Sequence, residues 1–82
     1  MARDLPDDVE VLRVLAHAHN SAGDGIRALL VLARLDDLDL DPASRTPLLL
    51  MRSHALRLIG RWGEARDCFA RFVASRTQET LS

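Results

Sequence analysis

The sequence predicts an all-α domain: four helices in two similar hairpins, the pattern of an α-solenoid fragment. Three observations carry this. Apolar residues make up 48% of the 82-residue chain, and only three of them are aromatic, Trp62, Phe69 and Phe72. Leu and Ala supply most of the rest, and both favour helix over strand. The apolar residues recur at steps of three and four, the period of one helix face. Two glycine turns, at Gly23 and Gly60, stand 37 residues apart (60 − 23) between such segments. A chain of this length is one domain, 1–82.

The first helix is expected over Pro6–Ala22. Pro6 suits a first turn, where its missing N–H loses no partner, and Asp7 and Asp8 suit the positive end of the helix dipole. Leu12, Leu15, Ala16 and His19 share a face. Gly23 can take the left-handed conformation that ends a helix, and Asp24 can cap the next. The second helix, Gly25–Leu38, holds "IRALLVLARL", where only Arg27 and Arg34 are polar. It is apolar on more sides than two neighbouring helices can cover. Leu30 and Val31 are therefore expected to form an exposed patch for a partner helix or a second copy of the chain.

The acidic run "DDLDLD" should end that helix, because carboxylates are unfavourable at the negative end of the dipole. The third helix is expected over Pro47–Ile59, with Thr46 as its cap and Leu48, Met51, Ala55 and Ile59 on one stripe. The fourth, Gly63–Ser75, should bury Ala65, Cys68, Phe69, Phe72 and Val73. The polar tail 76–82 is expected to fray.

The two halves, 6–38 and 42–75, align under a shift of 37. Ala18 meets Ala55, His17 meets His54, Leu12 meets Leu49, Ala28 meets Ala65 and Leu32 meets Phe69. "HALRLIGRWGEARDCFARFV" then resembles a tetratricopeptide repeat, whose pattern sets an Ala, a Gly turn, an aromatic, a second Ala and a further aromatic at fixed offsets. Ala55, Gly60, Trp62, Ala65 and Phe69 match it. Ala18, Gly23, Ala28 and Leu32 match in the first half, where Gly25 stands in place of the turn aromatic. The resemblance implies that Phe69 fills the wedge between repeats and that Trp62 staples its hairpin. It also implies that the first helix of each pair lines a protein-binding groove. Carried over position by position, the groove residues are Glu10, Arg13, His17, Asn20 and Ser21 in the first half, and Leu50, His54, Arg57 and Leu58 in the second. Such a surface suits a helix or peptide with apolar anchors and carboxylates.

Several chemistries find no support. With 11 basic and 12 acidic residues, the chain lacks the basic excess of a nucleic-acid binder. A helix-turn-helix reading would put Glu64 and Asp67 on the recognition helix. His17 and His19, two apart, fall on different helix faces, so no metal site is expected. Asp37, Asp39 and Asp41 imitate a calcium loop, but Pro42 stands where Gly is needed and Leu48 where Glu is needed. No catalytic set, phosphate loop or cofactor motif appears, so no enzyme and no cofactor are expected. The single Cys68 reads as a buried apolar filler and fits a reducing cytoplasm. No secretory leader or membrane-spanning run is expected either.

The resemblance therefore implies a cytoplasmic protein-binding module. Among tetratricopeptide-like proteins it is most similar to the small chaperones of bacterial type III secretion, of the YscY and YscG kind. These imply a protein partner, either an amphipathic-helix export component or needle-type subunit held before secretion, or a co-chaperone. A heterodimer or homodimer is expected. The alternative of another class is a scaffold or regulatory domain that self-associates and tethers a partner.

Overall fold

The computed structural model describes residues 8–81, and their side chains as far as Gln78. Within them the chain forms α1 (Val9–Ser21), α2 (Gly25–Asp36), α3 (Pro42–Leu58) and α4 (Trp62–Leu81). The all-helical expectation holds for the described residues.

Three boundaries differ from the expectation by more than two residues. Asp8 is the N-cap of α1: its backbone is extended, and its carboxylate accepts from the amides of Glu10 and Val11 at 3.0 and 3.4 Å. The helix therefore starts at Val9; Pro6 lies outside the described residues. α3 begins at Pro42 rather than Pro47, because Asp41 is an equally good cap. Asp41 accepts from the Ser44 amide at 3.0 Å, with Pro42 at the first helical position. Thr46 is not a cap but sits buried inside the helix, where its hydroxyl donates to the Pro42 carbonyl at 3.2 Å. Pro47 lies within the helix too and leaves one intrahelical bond unmade. α4 runs through the polar tail to Leu81. Beyond Gly63 nothing in that segment breaks a helix, and Arg, Gln and Glu favour one. Thr77 ties back to the Val73 carbonyl at 2.9 Å, and the Arg76 guanidinium lies 5.7 Å from the Phe72 ring centroid.

Both hairpins reverse by the same device. Gly23 and Gly60 take φ of +80° and +82°. The amides of Gly23 and Asp24 donate to the carbonyls of Asn20 and His19, and those of Gly60 and Arg61 donate to Arg57 and Leu56. This is a Schellman closure, which needs a left-handed residue after the helix. Small residues set the closeness of the helix pairs: Ala16, Ala28 and Ala55 are fully buried and Ala65 nearly so.

The main core lies in the first hairpin, where α3 packs onto both α1 and α2. Leu12, Ala16, Val31, Leu32, Leu35 and Leu48 form it, with Leu15, Leu29 and Met51 against it. α3 passes so close to the start of α2 that a Cβ on Gly25 would stand 2.5 Å from the Ala55 carbonyl oxygen. Asn20 bridges the same junction, donating from Nδ2 to the Met51 carbonyl at 3.1 Å. A smaller cluster of Leu56, Ala65 and Cys68, with Leu29 and Ile59 against it, joins α3 to α4. Among the described residues α4 packs on α3 and not on α1 or α2.

This packing corrects two readings of the sequence. Val31 is 2% exposed and belongs to the chain's own core, so it forms no surface patch with Leu30, which is 62% exposed. The two are one residue apart, about 100° around the helix, and α3 claims the side that carries Val31. Phe69 is 49% exposed, Val73 is exposed and Phe72 is half-buried, so the outer face of α4 is not core. No described helix lies against it.

Candidate functional site

A groove of about 670 Å³ opens where the end of α1, the inner face of α3 and the first half of α4 meet. α1 contributes His17, Asn20 and Ser21. α3 contributes Leu50, Met51, Ser53, His54 and Arg57. α4 contributes Trp62, Ala65, Arg66 and Phe69. Ser53 is buried and its hydroxyl donates to the Leu50 carbonyl at 2.9 Å, so it closes the floor without offering a free donor.

The structure brings together six of the residues expected in a groove: His17, Asn20, Ser21, Leu50, His54 and Arg57. Asn20 is 7% exposed, and its amide is spent on the α1–α3 junction. It shapes the groove more than it faces it, although its Oδ1 is buried with no hydrogen-bond partner. Glu10 and Arg13 are not in the lining. They sit one to two turns nearer the start of α1 than His17 and pair with each other at 3.2 Å. Leu58 is also outside it, because its Cβ faces the start of α2, 3.0 Å from where a Cβ on Gly25 would stand.

Two walls of the groove, Trp62 and Phe69, were placed elsewhere by the sequence reading, and a third, Arg66, was not singled out by it. Trp62 is 62% exposed and does not staple the hairpin; it stands at the edge of the groove. Phe69 does not fill a wedge between repeats, since no second neighbour reaches it. The 37-residue shift holds the signal that would have found both. Gly25 and Leu32, their counterparts, are buried under α3, and among the described residues no helix lies on α4 in the same way.

The groove is apolar at its walls and basic at its rim. Its ionisable residues are His17, His54, Arg57 and Arg66, and no carboxylate lines it. Arg57 and Arg66 make no ion pair with a described residue, whereas Arg61 beside them pairs with Glu64 at 2.7 Å. A ligand that brings carboxylates finds two guanidiniums without partners next to apolar surface.

A second cavity of about 640 Å³ lies on the other side of α3, among Asp36, Arg45, Arg52 and Arg71. Asp36 already pairs with Arg52, and no exposed aromatic lines the space. Cys68 is free and buried. Among the described residues no three His, Cys, Asp or Glu side chains come together as metal ligands, and no helix is long and apolar enough to cross a membrane. Compared with known proteins, the chain matches no family model, no curated protein and no solved structure.

Proposed function

We propose that this chain is a protein-binding module of tetratricopeptide type, two repeats long, whose groove holds an amphipathic helix of a partner protein. One observation carries the reading. Leu50, Trp62 and Phe69 leave large apolar surface exposed beside Arg57 and Arg66, and the lining has no acid. Exposed apolar surface rimmed by charge is the usual form of an interaction site. The repeat itself is supported by the two matched Schellman turns, the buried alanines at 28 and 65, and the seating of α3 on the first hairpin.

Within that reading, the chain serves as a cytoplasmic chaperone of bacterial type III secretion. It holds an export component or needle-type subunit, covering that partner's apolar helix face before secretion. The partner helix lays its apolar side on Leu50 and Phe69 and turns carboxylates toward Arg57 and Arg66.

The test is a titration with a helical peptide carrying a leucine stripe flanked by glutamates, against the same peptide with lysines. The glutamate peptide should bind the wild-type chain at least tenfold more tightly, a difference of about 1.4 kcal/mol. Arg57→Glu with Arg66→Glu should reverse the order while circular dichroism stays the same. Equal affinity for both peptides would remove the groove from the account. For the chaperone role, co-expression with genomic neighbours should yield one partner that is soluble only with this chain.

A further inference from the structure

Two imidazoles line the groove beside its guanidiniums. His17 on α1 and His54 on α3 hold the same place in the two hairpins, 37 residues apart (54 − 17). Both are exposed, and neither ring makes a hydrogen bond or ion pair with a described residue. The third histidine, His19, is half-buried and lies outside the lining.

The other charges of the groove are Arg57, one turn beyond His54 on α3, and Arg66 on α4. Each of the three helices that bound the groove therefore brings a group that is, or can become, a cation. The acids of those helices and of α2 are engaged elsewhere or stand apart. Glu10 pairs with Arg13, Asp24 with Arg27 and Glu64 with Arg61. Asp36 pairs with Arg52 on the other side of α3, and Asp67 lies outside the lining. No carboxylate of the chain is placed to pair with an imidazolium in the groove.

Histidine is the side chain whose charge changes between about pH 5 and 8. A carboxylate brought within a few ångströms favours the protonated ring. A helix that turns carboxylates toward Arg57 and Arg66 also brings them to the imidazoles of the same lining. Linkage is reciprocal: if the docked helix favours protons on the rings, protons on the rings favour the docked helix. The cations of the lining then rise from two to four as pH falls. The apolar walls Leu50, Trp62 and Phe69 carry no titrating group, so the response belongs to the charges.

We propose that His17 and His54 make the groove a pH-responsive grip, which takes up protons as an acidic helix docks. The grip tightens as pH falls toward about 5.5 and slackens as it rises toward about 8. This rests on the groove being the seat of an acidic amphipathic helix.

Titration of the leucine-stripe glutamate peptide into the full chain, at about pH 8 and about pH 5.5, tests it. The glutamates stay largely ionised at both. The affinity should be at least tenfold higher at the lower pH, and the same peptide with glutamines for glutamates should show no change. His17→Gln with His54→Gln should give one affinity at both pH values, whereas His19→Gln should keep the tenfold response. Circular dichroism should be the same at both pH values for every chain. An affinity for the glutamate peptide that does not move with pH would overturn the proposal, as would a response that survives the loss of both groove histidines. A preference for glutamate over lysine at about pH 8, with no pH response, would sink the grip and spare the groove. No binding of either peptide at either pH would remove both.

Discussion

Leu32 and Phe69 hold the same place in two hairpins of one pattern, and their surroundings are opposite. Leu32 is fully buried, because α3 lies across α1 and α2. Phe69 is half exposed, because no described helix lies across α3 and α4 in the same way. Three further pairs depart together. Gly25 becomes Trp62, Asn20 becomes Arg57 and Leu29 becomes Arg66. On the first hairpin these are small or junction residues beneath a helix. On the second they are the walls and rim of a groove. The 37-residue pattern thus gives helices and turns alike in both halves, while the neighbour decides whether a position is buried in the core or lines an open groove. The second hairpin's open face is not a bare copy of the first's covered one: it is larger in side chain and basic.

The comparison breaks most directly at its buried member. Leu32→Ala should destabilise the chain by about 2–5 kcal/mol in urea denaturation, the range for a buried Leu that leaves a cavity. A small domain has little more than that in reserve, so the variant should be largely unfolded. A loss below about 1 kcal/mol would show that α3 does not cover the first hairpin as described.

The Gly25 and Trp62 pair gives a smaller effect. A Cβ at Gly25 would meet the backbone of α3 at 2.5 Å, so Gly25→Ala should cost about 1–3 kcal/mol, as overpacking does. Trp62→Ala, at the exposed counterpart, should change the denaturation midpoint little and weaken the acidic peptide. Equal costs at both positions would contradict the asymmetry.

A third prediction loosens the helix that makes the hairpins differ. Hydrogen bonds from the Ser44 side chain, and then its backbone amide, hold the Asp41 carboxyl below the usual carboxylate value. A depressed folded-state pKa gives stability that is present above the unfolded value and lost as pH falls through the folded one. The melting temperature should therefore fall as pH drops below about 4. Asp41→Asn should flatten part of that slope, and an unchanged slope would detach the cap from the seating of α3.

Much of this was legible in the sequence, for reasons that are local. Gly23 and Gly60 mark turns because only glycine takes φ near +80° without strain. The alanines at 28, 55 and 65 mark close helix contacts. His17, Leu50, His54 and Arg57 were placed in one groove by what the tetratricopeptide resemblance implies, and they line one groove here. What was hidden depends on neighbours. Leu30 and Val31 are both apolar on a helix apolar nearly all round, and only the direction from which α3 approaches separates them. Phe69 reads as core because a repeat pattern presumes a next repeat. Two Asp/Thr–Pro pairs compete to start α3, and the choice between Pro42 and Pro47 turns on the packing of an extra turn that no local signal ranks.

The central claim is that Phe69 faces a partner and not the core, and the denaturation midpoint of Phe69→Ala tests it most directly. Within the chain Phe69 meets the Phe72 ring, 6.1 Å between centroids and tilted by 34°. Losing that contact together with the covered half of the ring is worth about 1–2.5 kcal/mol. The account predicts a loss in that range, with helix content unchanged and binding of the acidic helix weakened. A loss of about 3–5 kcal/mol, the cost of removing a buried Phe, would contradict it and return Phe69 to the core.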